Sequence, residues 1–217
     1  MTPAAPIDGP SAHAHSARLP RLRDGAGGGS LCAMPAASIR LAVDADFAAI
    51  AAITSHYIRT TSIHFATQPV TAGELRALWR QHETLYPWLV AERDCQCVAY
   101  AKAGVWRSRD AYRWTPETGI YVHPDHLGKG IGRPLYARLL ALLAAQGFHS
   151  AIAGATQPNP VSTRLHTALG FTEVGRVRDA GNKFGRWHDV VFWQLRLAAP
   201  DAPAAALRAP QDAWRDL

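Results

Sequence analysis

Cysteine is scarce in this chain: three among 217 residues, at Cys32, Cys95 and Cys97. An odd number, with one C-x-C and no second pair to close a metal site, excludes a disulfide framework and a zinc ribbon. A reducing compartment follows, so the expectation is a cytoplasmic protein that holds no metal. Long apolar runs are missing too, none reaching the ~20 residues that span a bilayer, and the first residues lack the apolar core of a secretory signal. Blocks of like charge are absent. The formal net charge is +6 and the pI about 9.6, yet Lys and Arg are scattered among acids and apolar residues, without the basic stripe or finger motif of a nucleic-acid binder. Neither a membrane nor a nucleic acid is an expected partner, and the charge balance suits a small anionic ligand.

A chain of this length holds one core-forming domain with tails. Residues 1–37 are rich in Ala, Pro, Gly, Ser and His, with GAGGGS at Gly25 to Ser30, and read as a disordered extension. Met34, just ahead of the first strand-like run, is an alternative start. The folded domain is placed at residues 38–198, and a C-terminal tail at 199–217, where Ala, Pro and charge return.

What the chain does have is a glycine-spaced run, HLGKGIGRPLY from His126 to Tyr136, between the strand-like TGIYVHP and the apolar-periodic PLYARLLALLAAQGF. Gly128, Gly130 and Gly132 alternate, at positions where side chains would block the approach of an anion to backbone N–H groups. A helix starting near Ile131 or Gly132, with Leu135, Leu139, Leu142 and Leu143 on one face, aims its unpaired amides and positive dipole end over the loop. Lys129 adds a cation. The spacing fits neither the P-loop nor the dinucleotide fingerprint. That leaves another kind of pyrophosphate cradle, or an ordinary strand-to-helix connection.

Around it the pattern alternates. SIRLAV is a strand; Asp44 can cap a helix whose apolar positions are Phe47, Ile50, Ile53, Tyr57 and Ile58. Thr71 and Glu74 form a capping box for a second helix running to about Glu83. WLVAE and CVAYAKAGVW make a hairpin about the turn RDCQ. After the glycine-rich loop and its helix come the strand HSAIAGAT, the helix STRLHTALG capped by Asn159 or Ser162 and stopped by Gly170, and strands TEVGRVRDAG and WHDVVFWQLRL. This order implies an α/β fold, a mixed sheet of six to seven strands with about four helices on its two faces.

The tight G-x-G after a strand resembles the coenzyme A loop of the GNAT N-acetyltransferase superfamily. HYIRTTSIHF, YPWLVAE, RDAYRWTPETGIYV, NPVSTRLHTALGF and GNKFGRWHDVVFWQ resemble the phosphinothricin N-acetyltransferase family, over about Ile39 to Leu197. The resemblance implies acetyl transfer from acetyl-CoA, as co-substrate, to the α-amine of a small amino-acid-like acceptor. Phosphinothricin, methionine sulfoximine or sulfone and ordinary amino acids stay open, as do, outside that class, an aminoglycoside, a polyamine, a protein N-terminus or a non-catalytic acyl-CoA sensor.

An α-ammonium must lose a proton before it attacks. Glu117 matches the family's proposed catalytic glutamate, and burial would raise its pKa toward a useful value; a strand-edge carboxylate paired with Arg113 or Arg109 is the alternative. His166 stands where the superfamily protonates the departing thiolate, or else packs its helix. The coenzyme's contacts map onto Tyr121, Val122, His123, Gly128, Lys129, Gly130, Ile131, Gly132, Arg133, Asn159 and Ser162, with the Val122 N–H as oxyanion donor; Asn159 can equally be a simple cap. Leu127 departs from the motif, which has Gln or Arg there. The acceptor pocket maps onto Phe65, Trp106, Arg107, Arg109, Tyr112 and Lys183, the guanidinium groups being anion clamps or solvated loop cations. A homodimer is implied by the closing segment, although Trp187, Phe192 and Trp193 can also be monomer core.

Overall fold

The computed structural model describes residues 37–217; the extension at residues 1–36 and the alternative start at Met34 lie outside the described residues. Seven strands form one mixed sheet in the order β1-β2-β3-β4-β5-β7-β6. They are β1 (Ser38–Leu41), β2 (Trp88–Arg93), β3 (Gln96–Val105), β4 (Pro116–Val122), β5 (Ser150–Thr156), β6 (Thr172–Lys183) and β7 (Arg186–Arg196). Helices α1 (Phe47–Thr60) and α2 (Ala72–Arg80) precede β2; α3 (Gly132–Gln146), α4 (Pro160–Ala168) and α5 (Pro210–Trp214) follow β4, β5 and β7.

The central strands are buried on both faces and read as continuous apolar runs. On β2 and β3, Trp88, Val90 and Tyr100 meet Phe47, Ile50 and Ile53 of α1. Their neighbours Leu89, Ala99, Ala101 and Ala103 face the leucines of α3, of which Leu135, Leu139, Leu142 and Leu143 are fully buried. Small side chains on β3 let α3 lie close to the sheet. The β2–β3 hairpin turns on Asp94 and Cys95, both at positive φ (51° and 59°), as a two-residue turn that matches strand twist requires.

Asp44 does not cap α1. It lies in a 3-10 turn and pairs with Arg76 and Arg80 of α2. Asp46 organises this corner: its carboxylate accepts the Val43 N–H at 2.8 Å and the Arg40 guanidinium at 2.7 and 2.8 Å, and Arg40 also reaches Glu92. The Thr71–Glu74 capping box of α2 is present in both directions, and Asn159 rather than Ser162 caps α4, accepting the Ser162 N–H at 3.1 Å.

The segment after Ala198, a tail by composition, is packed. Ala213 of α5 is fully buried in the α3 core. Gln146 donates to Leu85 O and Arg208 O at 2.9 and 2.8 Å, and the Trp114 indole donates to Ala205 O at 2.7 Å. The Arg138 guanidinium lies 4.6 Å over the Trp214 ring. The anchors are mostly backbone carbonyls, which any composition supplies. Truncation after Ala198 is therefore expected to cost about 3 kcal/mol, from lost hydrogen bonds and exposed apolar surface. A chemical-denaturation curve with an unchanged midpoint would refute that.

Candidate active site

β4 and β5 run parallel but pair only at Glu117↔Ile152 and Thr118↔Ala153, then part. On the other side β4 stays in register with β3 from Pro116 to Val122, and His123 N–H donates to Val98 O at 2.8 Å. Hydrogen bonding alternates along an antiparallel ladder, so the amides of Ile120 and Val122 turn the other way, toward the gap that β5 has left. The Tyr57 hydroxyl donates to Val122 O at 2.7 Å and fixes this edge.

The chain runs from that edge into the glycine loop. Gly128 and Gly130 sit at φ +71° and +74°, where an L side chain is strained, and a Cβ at either would meet nothing within 4 Å. α3 begins at Gly132, as its periodicity requires, with no side-chain cap at Ile131. Its first amides, at Gly132 and Arg133, have no partner within the helix, and Pro134 has no N–H to satisfy. Lys129 and Arg133 are exposed beside the open space, and so is Leu127. This is a cradle of backbone donors with cations at its rim, and it fits a pyrophosphate.

The rest of the expected coenzyme set divides. His123 is half-buried after β4, its Nδ1 accepting the Asp125 N–H at 3.3 Å. Asn159 spends its side-chain oxygen on the α4 cap, and the Ser162 hydroxyl lies 3.1 Å from His166 Nδ1. Tyr121 turns its side chain away from the loop. Its ring points to the α1 face, stacked on Tyr100 at 5.3 Å and 5.4 Å from Tyr57, where burial pushes its pKa up to about 12.

Glu117, Gly119 and Tyr121 share that α1 face, opposite Thr118, which bonds Tyr136 of α3 at 2.7 Å. Two cavities open there, about 460 and 370 Å³, and share Glu117, Tyr121 and Gly154. The first is walled by His64, Phe65, Thr156 and Phe192; the second by Leu78, His82, Trp88, Lys102 and Gly104. The Glu117 carboxylate faces the shared groove, so solvent reaches it although protein surrounds it. Burial raises its pKa, and the positive charges of Lys102 and Arg107 oppose the rise without cancelling it. Gly154 makes room: a Cβ there would lie 3.1 Å from the Phe192 ring and 3.7 Å from Glu117 Oε1.

Phe65 lines the groove. Trp106, Arg107, Arg109 and Tyr112 do not; they sit on the loop after β3, where Trp106 meets Tyr112 edge-on at 5.3 Å and carries the Arg107 guanidinium at 5.4 Å. Of these, Arg107 is the one whose charge reaches Glu117. Arg113 lies on the Trp114 ring instead of pairing with Glu117. Lys183 is also corrected. It is buried, and its ammonium donates to Ile58 O at 2.7 Å and to His64 O at 2.5 Å, tying β6 to the end of α1 and the loop beyond. Lys183→Met is expected to destabilise the protein by about 1–3 kcal/mol, the cost of orphaned buried carbonyls; an unchanged unfolding midpoint would contradict this.

His166 lines neither cavity. It is buried, stacked on Trp193 at 5.0 Å and edge-on to Phe171 and Tyr136, with Nδ1 at 2.8 Å from Ser162 O and Nε2 at 3.3 Å from the Tyr136 hydroxyl. Burial lowers its pKa. Of the two readings, helix packing is the one this geometry supports. The closing aromatic residues divide as well: Trp193 is core, Phe192 lines the groove, and Trp187 is 64% exposed. Sequence reasoning missed Lys102, His64 and Gly154. Lys102 and Gly154 lie inside strands whose buried face no local pattern reveals.

Comparison with known proteins agrees with this geometry. The family described as acetyltransferase (GNAT) domain matches residues 39–192. A phosphinothricin N-acetyltransferase of Streptomyces viridochromogenes is 46% identical over 167 residues, covering 76% of this chain and 91% of that protein. The L-amino acid N-acyltransferase MnaT of Escherichia coli is 43% identical over 170 residues, covering 77% of this chain and 98% of its own. Among solved structures, the yncA acetyltransferase of Salmonella typhimurium, determined with acetyl-CoA, has a TM-score of 0.76 at 41% identity, covering 79% of this chain and 99% of that one.

Proposed function

The chain belongs to the GNAT acetyltransferase family and is an acetyl-CoA-dependent N-acetyltransferase, and from that premise we propose that its acceptor is the α-amine of a small amino-acid-like molecule. Phosphinothricin, methionine sulfoximine or sulfone and ordinary amino acids form the candidate class. One observation carries the reading: Glu117 stands where the parting of β4 from β5 meets the acceptor groove, held by burial above its ordinary pKa and flanked by cations.

Acetyl-CoA supplies an activated acyl group on a good leaving group. The residues placed to hold it are the amides of the Gly128–Arg133 loop, with Lys129 and Arg133 at the rim, for the pyrophosphate, and the open edge of β4 for the arm. The Val122 N–H is placed to stabilise charge developing on the acyl oxygen. Glu117 takes the proton of the acceptor ammonium, and its raised pKa brings the two groups closer in proton affinity. Phe65 and Phe192 wall the groove. A polycationic acceptor is disfavoured, since Glu117 is the one carboxylate lining either cavity among the described residues, and Lys102 repels positive charge.

The assembly proposed is a homodimer. β6 is a twelve-residue edge strand, exposed along most of its length, and with the turn after it and the start of β7 it carries Val174, Val177, Phe184 and Trp187, 48 to 64% exposed. An unprotected edge beside exposed apolar surface calls for a partner. Free thiols at Cys95 and Cys97 support a reducing cytoplasm, and no described helix is long and apolar enough to cross a membrane. The test of the acceptor class is acetyl-CoA-dependent thiol release against phosphinothricin, methionine sulfoximine, methionine sulfone, plain amino acids, spermidine and an aminoglycoside. Turnover confined to the amino acids supports the reading, and turnover led by the polyamine or aminoglycoside overturns it.

A further inference from the structure

We propose that Lys102 is the anion anchor of the acceptor site: its ammonium holds an anionic oxygen group, carboxylate or phosphinate, of the molecule whose amine stands at Glu117. The inference rests on the amino-acid reading and adds to it the residue that recognises charge.

In the β3–β4 ladder Lys102 lies opposite Gly119 and Gly104 opposite Glu117. The two charged residues are thus diagonal neighbours on one face, about 7–8 Å apart by the ladder's geometry, and the other two corners are glycines with no side chain. The floor between base and ammonium is bare. Above it is the 370 Å³ cavity, closed on the far side by Leu78 and His82. Lys102 is half-buried, with its Nζ 4.9 Å over the Trp88 ring, and among the described residues it has neither a hydrogen-bond acceptor nor an ion pair. A half-buried ammonium with no protein acceptor is free to take one from the cavity, whereas Lys183 spends its donors on two carbonyls of this same protein.

The indole face steadies the head group but accepts no hydrogen bond, so three donors are left facing a cavity beside the base. An α-amino acid carries its cation and its anion on one carbon, which matches carboxylate and ammonium set across a gap. Arg107 is less suited, being exposed outside both cavities on the Trp106 ring. The charged and titratable groups around the gap are Lys102 on β3, Glu117 and Tyr121 on β4, His82 beyond α2, Arg107 on the loop after β3, and His64 in the adjoining cavity. Burial lowers the Lys102 pKa, and the Glu117 charge works against that; a bound anion would add to the second effect.

Steady-state kinetics of Lys102→Met and Lys102→Arg test this. Met keeps the apolar stem over Trp88 and removes the charge. The expected result for Lys102→Met is a KM for the amino-acid acceptor raised ~10–100-fold, the range of a charge-assisted hydrogen bond, with kcat and the KM for acetyl-CoA within a few-fold of wild type. Lys102→Arg should recover part of the loss. The acid limb of kcat/KM against pH should also move to higher pH in Lys102→Met, because the lysine charge holds the Glu117 pKa down. Two acceptor arms identify the anion. If the wild-type preference for the free acid over its α-carboxamide disappears in the variant, Lys102 binds the α-carboxylate; if the preference for phosphinothricin over methionine sulfone disappears, it binds the side-chain anion. A variant with unchanged acceptor KM and unchanged pH limb overturns the anchor and leaves the acceptor class standing. A wild type that turns over no amino acid overturns both.

Discussion

Glu117→Gln is expected to lower kcat at pH 7 by about 10²–10⁴-fold, the usual contribution of a positioned base. Gln keeps the shape of the side chain and its place beside Gly154, but it cannot accept the proton of an acceptor ammonium. The deficit should shrink as pH rises toward the amine's own pKa, near 8 or above, where free amine no longer depends on the enzyme. In the wild type, kcat/KM should rise with pH through the raised Glu117 pKa, placing the acid limb above the ordinary carboxylate range. Stability should move the other way. A carboxyl whose folded pKa is raised binds its proton more tightly in the folded state, so its contribution is full below the unfolded pKa and is lost as pH climbs through the folded one. Glu117→Gln should therefore keep or raise the Tm above that window. Low activity together with a lowered Tm would mean that the carboxylate serves the fold, and near-normal kcat across pH would remove it as the base.

Gly130→Val is expected to raise the KM for acetyl-CoA by at least ~10-fold, about 1.4 kcal/mol of binding. Two effects add. The φ of +74° disfavours a branched L side chain, and the space a Cβ would enter is empty of protein, so the side chain occupies what the backbone donors leave open for an anion. The loop is exposed, so the ligand-free Tm should fall little, while the rise in Tm on adding acetyl-CoA should be largely lost. Retention of that rise would show that the loop is an ordinary connection and that the pyrophosphate lies elsewhere.

Much of the fold is legible in the chain. The start of α3 follows from glycine spacing and leucine periodicity, the α2 cap from Thr71 and Glu74, and the β2–β3 hairpin from two apolar runs around four turn residues. These are local signals. The misreadings occur where a distant partner decides. Asp44 is a cap on paper, but Arg76 and Arg80 of α2 pair with it in a 3-10 turn, and the residue at the start of α1 is Asp46, held by Arg40. Lys183 is an acceptor-pocket cation by resemblance, but two backbone carbonyls take its donors. Trp193, Phe171 and Tyr136 pack around His166, and no local pattern in the sequence announces that packing. Tyr121 and Lys102 depend on which face of a doubly buried sheet each occupies, and because side chains alternate, a one-residue change of register reverses the answer. Glu117, the proposed base, stands out in the sequence because it opens a strand beside a motif. The cation across from it was not, because a lysine inside a strand gives no sign of what lies over it.

The most direct test is product analysis of a single reaction containing the full chain, acetyl-CoA and L-phosphinothricin or L-methionine sulfone, with thiol and acetylated acceptor quantified together. The expected result is one thiol released per acceptor acetylated, with the acetyl group on the α-nitrogen and the rate collapsing in Glu117→Gln. Thiol release without an acetylated amino acid, or acetylation at another atom, would contradict the assignment.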